Sequence, residues 1–242
     1  MAATTKPIPS VWARQQREAE QPALSRAAIV REAIAMLDAE GVEALSMRKL
    51  GARLNAGATS LYRHVANKDE LMELALDEVA GEITVPSTDG ADWRAAATQA
   101  ARSFRDTALR HPWLASVLGQ AGLAYLGPNL MSVSEGLAAL FIKAGFPDPS
   151  GAIDAVLSYV IGMSITEAAW LTTVARSGET EAAFVARLLP AARQAAAGYE
   201  HLAGAYTMRP PDADPAQVRD AKFANGLDIV LDGLATRLPP GT

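Results

Sequence analysis

The chain has 242 residues, of which 50% are hydrophobic and 20% charged, so it carries enough apolar material for a sizeable core and is not wholly disordered. It has no cysteine, which excludes disulfides, cysteine-ligated zinc, iron–sulfur clusters and thiol catalysis. The net charge of −5 argues against a general nucleic-acid binder, but it averages over two unlike parts. Residues 1–68 hold 10 Lys or Arg against 6 Asp or Glu, whereas the other 174 residues hold 12 against 21.

Residues 1–24 are mixed in composition and contain proline, which predicts a flexible N-terminal arm. Arg14 and Arg17 in this arm either enter a DNA minor groove or are simply solvated. Residues 1–10 lack an apolar run, so we expect no secretory signal.

Caps and apolar spacing predict four helices between residues 25 and 83. Ser25 and Ser46 are N-cap candidates, and Asn67 with Glu70 resembles a capping box. Asn55 tolerates the left-handed backbone conformation of a helix stop. The predicted helices cover residues 25–41, 47–54, 58–64 and 67–81.

Residues 85–90 (VPSTDG) predict a linker, and every long segment after it has helical apolar spacing. No segment alternates with a period of two, so we predict an all-α fold. The uncharged stretch 112–134 is interrupted by proline and glycine, which favours two buried helices over a membrane span. We therefore expect a cytoplasmic protein. The predicted helices of this part cover residues 91–110, 112–123, 128–144, 150–176, 179–198 and 218–237.

Two short helices joined by three residues, behind a longer supporting helix, are typical of a helix-turn-helix that reads DNA. Gly51 keeps the first short helix slim, so that the second can cross it closely. A small apolar core is available from Leu45, Leu50, Leu54, Leu61 and Val65.

The second short helix presents hydroxyl, guanidinium and imidazole groups that suit base edges and phosphates. Arg63 can form a bidentate contact with guanine, and Thr59 can offer its methyl group to thymine. Tyr62 and Lys68 suit phosphate oxygens, and Arg48 points toward the same groove. Each residue alone is more simply a solvated polar side chain, but the set together favours DNA contact.

Residues 24–83 resemble the DNA-binding domain of TetR-family regulators, the family of the tetracycline repressor. The specific segments are MRKL at 47–50, SLYRHV at 60–65 and NKDEL at 67–71. The family usually has Gly-Val in the turn where this chain has Asn55 and Ala56, and we expect the turn to survive with slightly weaker packing. The resemblance implies base or major-groove contacts from Arg48, Thr59, Ser60 and Arg63, and phosphate contacts from Tyr62, His64 and Lys68.

The resemblance also implies a helix-turn-helix domain over 25–83 and a helical domain over 91–242 that binds a small molecule and pairs the subunits. The motifs DWR at 92–94 and LRHPW at 109–113 resemble the subgroup closest to the tetracycline repressor. Residues 150–176 and 218–237 are the predicted dimer helices, and the alternative is that they belong to an intrachain core. The apolar stripe of that helix consists of Phe223, Leu227, Val230, Leu231, Leu234 and Leu238.

Aromatic and methionine side chains beside a few polar groups predict an apolar effector pocket. Glu167, between Ile165 and Trp170, either faces solvent or marks the polar point of this pocket. Where the tetracycline repressor grips its drug and magnesium, only Phe104 is retained, so we predict no metal and no cofactor. The candidate ligand-binding residues are Phe104, Trp113, Met131, Ser134, Met163, Thr166, Glu167 and Trp170.

Motifs for nucleophilic hydrolysis, phosphate binding, dinucleotide binding and zinc proteolysis are missing from the sequence, so we do not expect an enzyme. The hypothesis is a homodimeric, ligand-responsive repressor released from a palindromic operator by a small apolar molecule. Two alternatives remain: an activator of the same fold, and a helical small-molecule-binding protein without DNA function.

Overall fold

A computed structural model describes residues 24–87, 92–121, 127–207 and 213–239 of the chain. Every regular element in these ranges is helical, as predicted, and the α-helices are numbered in chain order. The predicted arm lies outside the described residues except for Leu24. The helices are α1 (Arg26–Glu40), α2 (Met47–Arg53), α3 (Ala58–Leu61), α4 (Lys68–Ala80), α5 (Trp93–Arg110), α6 (Leu114–Ala121), α7 (Pro128–Lys143), α8 (Pro149–Ser177), α9 (Glu181–Ala196), α10 (Glu200–Thr207) and α11 (Pro215–Ala235).

The predicted caps begin the first helices of the chain. The Oγ of Ser25 accepts a hydrogen bond from the Ala28 amide, and Asn67 Oδ1 accepts one from the Glu70 amide at 2.8 Å. Glu70 in turn accepts a hydrogen bond from the amide of Ala66 at 2.6 Å. These bonds satisfy amides that a helix start leaves without an intrahelical partner, so the sequence positions of the caps fix where α1 and α4 begin.

Four features differ from the predicted boundaries. The second short helix ends at Leu61, and residues 62–64 form a turn rather than its last helical turn. A short 3-10 helix, Val42–Ala44, follows Gly41, and α10 lies between residues 198 and 218, where the sequence predicts no helix. The last helix begins earlier than predicted because Asp214 caps it and Pro215 takes its first position, where a missing amide costs nothing.

The N-terminal bundle, formed by α1–α4, packs as a helix-turn-helix needs. Asn55 takes the predicted left-handed conformation, with φ of 51°, between α2 and α3. A Cβ added to Gly51 would lie 2.7 Å from the Ala56 carbonyl oxygen and 3.5 Å from Leu61 Cδ1, which confirms that this glycine permits the close crossing. Leu54 is half-buried, and the other predicted core residues are buried: Leu45, Leu50, Leu61 and Val65.

The C-terminal bundle, formed by α5–α11, is built around α8. This helix packs against α5, α6, α7, α9 and α11. Its length and apolar composition would suit a membrane span, which for a helix packed among five others is weak support for a membrane. Phe223, Leu227 and Leu231 of the predicted stripe are buried against the rest of the chain, while Ile229 of the same helix is 73% exposed. The last helix therefore serves the intrachain core and still presents an apolar residue to solvent.

Candidate DNA-binding surface and effector cavity

The residues predicted to contact DNA lie together around α2, α3 and the turn after α3. Arg48, Thr59, Ser60 and Arg63 are exposed, and Tyr62 is 50% exposed. His64 and Lys68 are half-buried at the edge of the same surface. Only Leu61 of α3 is buried, so this helix is anchored by one side chain and offers its polar residues to solvent.

Ion pairs divide the basic residues of the N-terminal bundle into two groups. Lys49 is paired with Glu40, and Arg53 Nε lies 2.5 Å from Glu32 Oε1, so both cations are neutralised by α1. The hydrogen bond from Lys49 holds the pKa of the Glu40 carboxyl below its ordinary value. Arg48 and Arg63 have no acidic partner within the described residues, so their charges are available to an external anion.

Two backbone contacts position the predicted phosphate-binding residues. Lys68 Nζ lies 3.4 Å from the Val42 carbonyl oxygen, at the limit of a hydrogen bond, so its ammonium keeps donors for a further acceptor. Arg26 Nε donates to the His64 carbonyl oxygen at 3.1 Å, which ties the turn after α3 to α1. No local pattern predicts this bond, because it joins residues that are 38 positions apart.

A cavity of about 270 Å³ lies between α8, α9 and α11. Four of the eight predicted ligand-binding residues line it: Met163, Thr166, Glu167 and Trp170. The remaining lining residues were not predicted, because α9 and the start of α11 show no pattern that links them to α8. They are Glu181, Pro215, Val218, Arg219 and Lys222.

The other four predicted residues lie elsewhere. Phe104 is buried on α5, and Trp113 is buried with its indole N–H donated to Asp38. Met131 and Ser134 are exposed on α7. The structure therefore brings together the predicted residues of α8, whereas those of α5, the α5–α6 turn and α7 do not line the cavity.

Glu167 is buried, with a side chain that is 5% exposed, and Arg105 of α5 holds it in a two-pronged ion pair. Arg105 Nε donates to Oε2 at 2.7 Å, and Nη2 donates to Oε1 at 2.6 Å. Nη2 also lies 2.8 Å from Asp220 Oδ1, and the guanidinium stacks 5.0 Å from the ring centroid of Phe223. The hydrogen bonds to Glu167 raise the pKa of Arg105, although burial opposes this. Of the two alternatives for Glu167, the polar point of the cavity is the one observed.

Arg219 of α11 joins this ion pair to the rim of the cavity. Its Nε donates to Glu167 Oε1 at 2.9 Å, and its Nη1 is paired with Glu181. Glu181 also accepts the indole N–H of Trp170 at 2.6 Å. Burial works against the charge of Arg219, but its bonds to Glu181 and Glu167 outweigh that cost and raise its pKa. The polar side of the cavity is therefore a connected network that spans four helices.

Arg105 is the member of this network that sequence reasoning missed, although a signal was available. It falls four residues after Ala101 and three before Ala108, on the alanine-rich face of α5 that is buried. A cation on a buried helix face requires an acidic partner, and the only question left open is which carboxylate of the chain reaches it. Within the described residues, no cluster of three or more acidic, histidine or cysteine side chains suits a metal ion.

Two sets of polar contacts join the N-terminal and C-terminal bundles. Between α4 and α7, Asp77 Oδ1 accepts the Leu130 amide at 2.9 Å, and Asn129 Nδ2 donates to the Asp77 carbonyl oxygen at 3.1 Å. A Cβ on Gly127 would lie 2.2 Å from the Asp77 side chain, so glycine is required at this approach. Between α1 and the α5–α6 turn, Asp38 accepts from Trp113 and lies against His111.

Two parts of the chain match known protein families. Residues 29–75 match the family of bacterial regulatory proteins named tetR, and residues 85–238 match the tetracyclin repressor-like C-terminal domain. The chain belongs to the TetR family. It is thus a helix-turn-helix transcriptional regulator and not an enzyme, as the sequence predicted.

Individual TetR-family relatives cover almost the whole chain. An HTH-type transcriptional regulator of Saccharopolyspora erythraea is 37% identical over 229 residues, which span 93% of this chain and 91% of the relative. The transcriptional repressor DrrR1 of Streptomyces coeruleorubidus is 33% identical, with 91% and 81% covered. The crystal structure of ActR from Streptomyces coelicolor in complex with actinorhodin is similar with a TM-score of 0.69 and 30% identity, covering 89% of this chain and 98% of ActR.

Proposed function

We propose that the chain is a ligand-responsive repressor that binds a two-fold DNA operator as a homodimer and leaves it when a small molecule enters the C-terminal bundle. The observation that carries DNA binding is that Arg48 and Arg63 have no acidic partner among the described residues and share one exposed surface with hydroxyl side chains. The N-terminal domain spans residues 25–83 and the effector-binding and dimerisation domain spans 91–242. The protein works in the cytoplasm, where its operator is.

On DNA, α3 enters the major groove. Thr59, Ser60 and Arg63 contact base edges there, and Arg48 reaches a base from the start of α2. Phosphates bind at the edge of the same surface, where Tyr62 offers its hydroxyl group and Lys68 its ammonium, with His64 beside them. These roles are supported by the exposure of these side chains and by the lack of an acidic partner for either arginine in the part of the chain that the structure describes.

Dimerisation uses the outward faces of α8 and α11. The support is Ile229, which is 73% exposed on a helix whose opposite face is buried against α8. A two-fold pair of these helices forms a four-helix interface and holds two recognition helices at half-sites about 34 Å apart. Light scattering on the purified chain should give twice the monomer mass, and Ile229→Glu should shift it toward the monomer.

The effector enters the cavity between α8, α9 and α11. Its arrival disturbs Arg105 of α5. The turn that follows this helix carries His111, which contacts Asp38 of α1, so cavity occupancy and recognition-helix position become coupled. Coupling of this kind requires that the effector binds more tightly to the protein off DNA than on it. The ligand complex of ActR, a relative of similar fold, supports an effector role for this bundle.

The deciding experiment is selection of operator sequences from random DNA by the purified full-length chain, followed by fluorescence anisotropy on the selected site. The double variant Tyr62→Ala and Lys68→Ala should weaken binding broadly and reduce its dependence on salt, because phosphate contacts are lost. Lys143→Ala, which removes an exposed cation from the end of α7, is the matched control and should bind as the wild type does. Failure to enrich any sequence would overturn the proposal.

A further inference from the structure

The cavity has apolar walls and one charged side. Met163, Trp170, Pro215 and Val218 form the walls, which suit the flat faces of an aromatic or polycyclic molecule. Its charged side chains are those of Glu167, Glu181, Arg219 and Lys222. The chemistry of the occupant therefore depends on which of these charges are still free to bind it.

The two carboxylates that face the cavity are already engaged. Glu167 has one oxygen bonded by Arg105 and the other bonded by both Arg105 and Arg219. Glu181 accepts the Trp170 indole N–H on one oxygen and is paired with Arg219 through the other. A cationic ligand would therefore have to displace bonds that hold four helices together.

The cations present the opposite situation. The ammonium of Lys222 has no hydrogen-bond or ion-pair partner within the described part of the chain. Arg219 uses Nε and Nη1 for its two carboxylates, and its Nη2 donates to no described residue. Both residues line the cavity, so the charged groups of its described lining that still have free hydrogen-bonding capacity are cationic donors on α11.

We propose that the effector is an aromatic acid: an apolar ring system with an anionic oxygen group that is bound by Lys222 and the free Nη2 of Arg219. This inference rests on the proposed effector role of the cavity and adds the chemical class of the molecule. The rings lie against Met163, Trp170 and Val218, and the acidic group faces α11. Charge-assisted bonds from two donors make the acid prefer this site over a neutral molecule of the same shape.

A matched pair of fluorescent probes tests the class directly. The anion 1-anilinonaphthalene-8-sulfonate and the neutral N-phenyl-1-naphthylamine share one ring system and differ by the sulfonate. The full-length wild type should bind the sulfonate about tenfold more tightly than the neutral probe. Lys222→Gln should remove about fivefold of the sulfonate affinity and leave the neutral probe within about twofold of the wild type.

Two further variants locate the probes and test the role of charge. Lys143→Gln removes an exposed cation that does not line the cavity and should leave both affinities unchanged. Val218→Trp fills the cavity and should weaken both probes, and circular dichroism and the unfolding midpoint check that it is folded. The proposal is overturned if the wild type binds the two probes equally or binds neither. It is also overturned if Lys222→Gln leaves the preference intact, or if folded Val218→Trp binds both probes as the wild type does.

Operator binding without any probe is measured on the same preparations. Lys143→Gln should bind the selected operator as the wild type does, since Lys143 belongs neither to the proposed operator surface nor to the lining of the cavity. Intact operator binding with no preference for the sulfonate would overturn the ligand class alone. If the wild type binds no operator, the proposed function is overturned, and the comparison of the two probes still tests the ligand class.

Discussion

Asp38 and His111 lie 2.8 Å apart between Oδ1 and Nδ1, and this contact joins α1 directly to the turn between α5 and α6. The same carboxylate oxygen accepts the indole N–H of Trp113 at 2.7 Å. On its other side, His111 Nε2 lies 3.3 Å from Glu82, which is also bonded by Arg110. One histidine thus stands between a carboxylate of α1 and a carboxylate of the segment after α4.

Replacing Asp38 should loosen this junction. Asp38→Ala removes the acceptor of the buried Trp113 indole, and an unsatisfied buried donor costs about 1–3 kcal/mol of unfolding free energy. Urea denaturation of the full-length chain measures it. Asp106→Ala removes an exposed carboxylate from α5 and serves as the control, with a change within about 0.5 kcal/mol. Equal stability of the two variants would mean that the junction contributes nothing.

The stability of the junction should fall in acid. The hydrogen bond from Arg110, helped by the charges around it, holds the pKa of Glu82 below its ordinary value in the folded chain. A carboxyl with a lowered folded pKa stabilises the protein above its unfolded pKa of about 4.3 and loses this contribution as the pH falls through the folded value. The wild type should therefore lose more stability between about pH 5 and about pH 3 than Glu82→Gln does. Urea midpoints at several pH values in this window provide the measurement, and parallel curves would refute the assignment.

Removing one partner of the Arg105–Glu167 ion pair should lower the free energy of unfolding strongly, whereas replacing both partners by apolar residues should lower it much less. Glu167→Ala leaves a buried guanidinium with Asp220 as its remaining acidic partner, so we expect a loss of roughly 3 kcal/mol. The double variant Arg105→Met and Glu167→Leu removes both charges and should recover much of this loss, because a buried ion pair gains little over well-packed apolar side chains. Urea denaturation of the wild type, Arg105→Met, Glu167→Leu and the double variant completes a double-mutant cycle. A double variant no more stable than Glu167→Ala would contradict the expectation.

Arg63 should determine which operator sequence is preferred. Arg63→Ala should cost about 1–3 kcal/mol of discrimination at one base pair and relax the preference there, because a bidentate contact with guanine is lost. Arg53→Ala is the matched control, since Arg53 is already paired with Glu32 and Glu40 and lies off the recognition surface. Repeating the operator selection with both variants measures the effect. A uniform loss of affinity across all sequences would show that Arg63 contacts only phosphate.

Gly51 should not tolerate a side chain. In Gly51→Ala the new Cβ would meet the Ala56 carbonyl oxygen at 2.7 Å, and we expect a net loss of about 1–3 kcal/mol despite the better helix propensity of alanine. Gly198→Ala is the control because its Cβ meets nothing within 4 Å, and it should gain about 0.4–1 kcal/mol. Thermal or urea unfolding distinguishes them, and an equal gain in both variants would mean that α2 and α3 move apart freely.

The elements with local signals were the ones predicted correctly. Ser25 and Asn67 cap their helices through side-chain oxygens only three residues from the amide that they satisfy, and Asn55 adopts its left-handed conformation within a single turn. The end of α3 was not predictable in this way. Its last helical turn is replaced by the turn at residues 62–64, where Arg26 of α1 holds the His64 carbonyl oxygen from 38 residues away.

The cavity shows the same division between local and long-range information. Met163, Thr166, Glu167 and Trp170 were found because they share one stretch of α8. Their partners Arg105, Glu181 and Arg219 come from three other helices, and no residue spacing along the chain predicts that these side chains are in contact. Phe104 was predicted to bind the ligand because it is aromatic, but on α5 its side chain packs in the core. Its neighbour Arg105 is the residue of α5 that reaches Glu167.

The anchoring of α3 by Leu61 alone has a practical meaning for engineering. Leu61 belongs to the core, whereas Thr59, Ser60 and Arg63 are exposed and take no part in it. Recognition of the DNA sequence and stability of the fold therefore depend on different side chains of the same short segment. A library that varies the three exposed positions and keeps Leu61 and Gly51 should yield variants that recognise new operators with little loss of stability. The effector cavity is unchanged in these variants, so the same small molecule would release them from DNA.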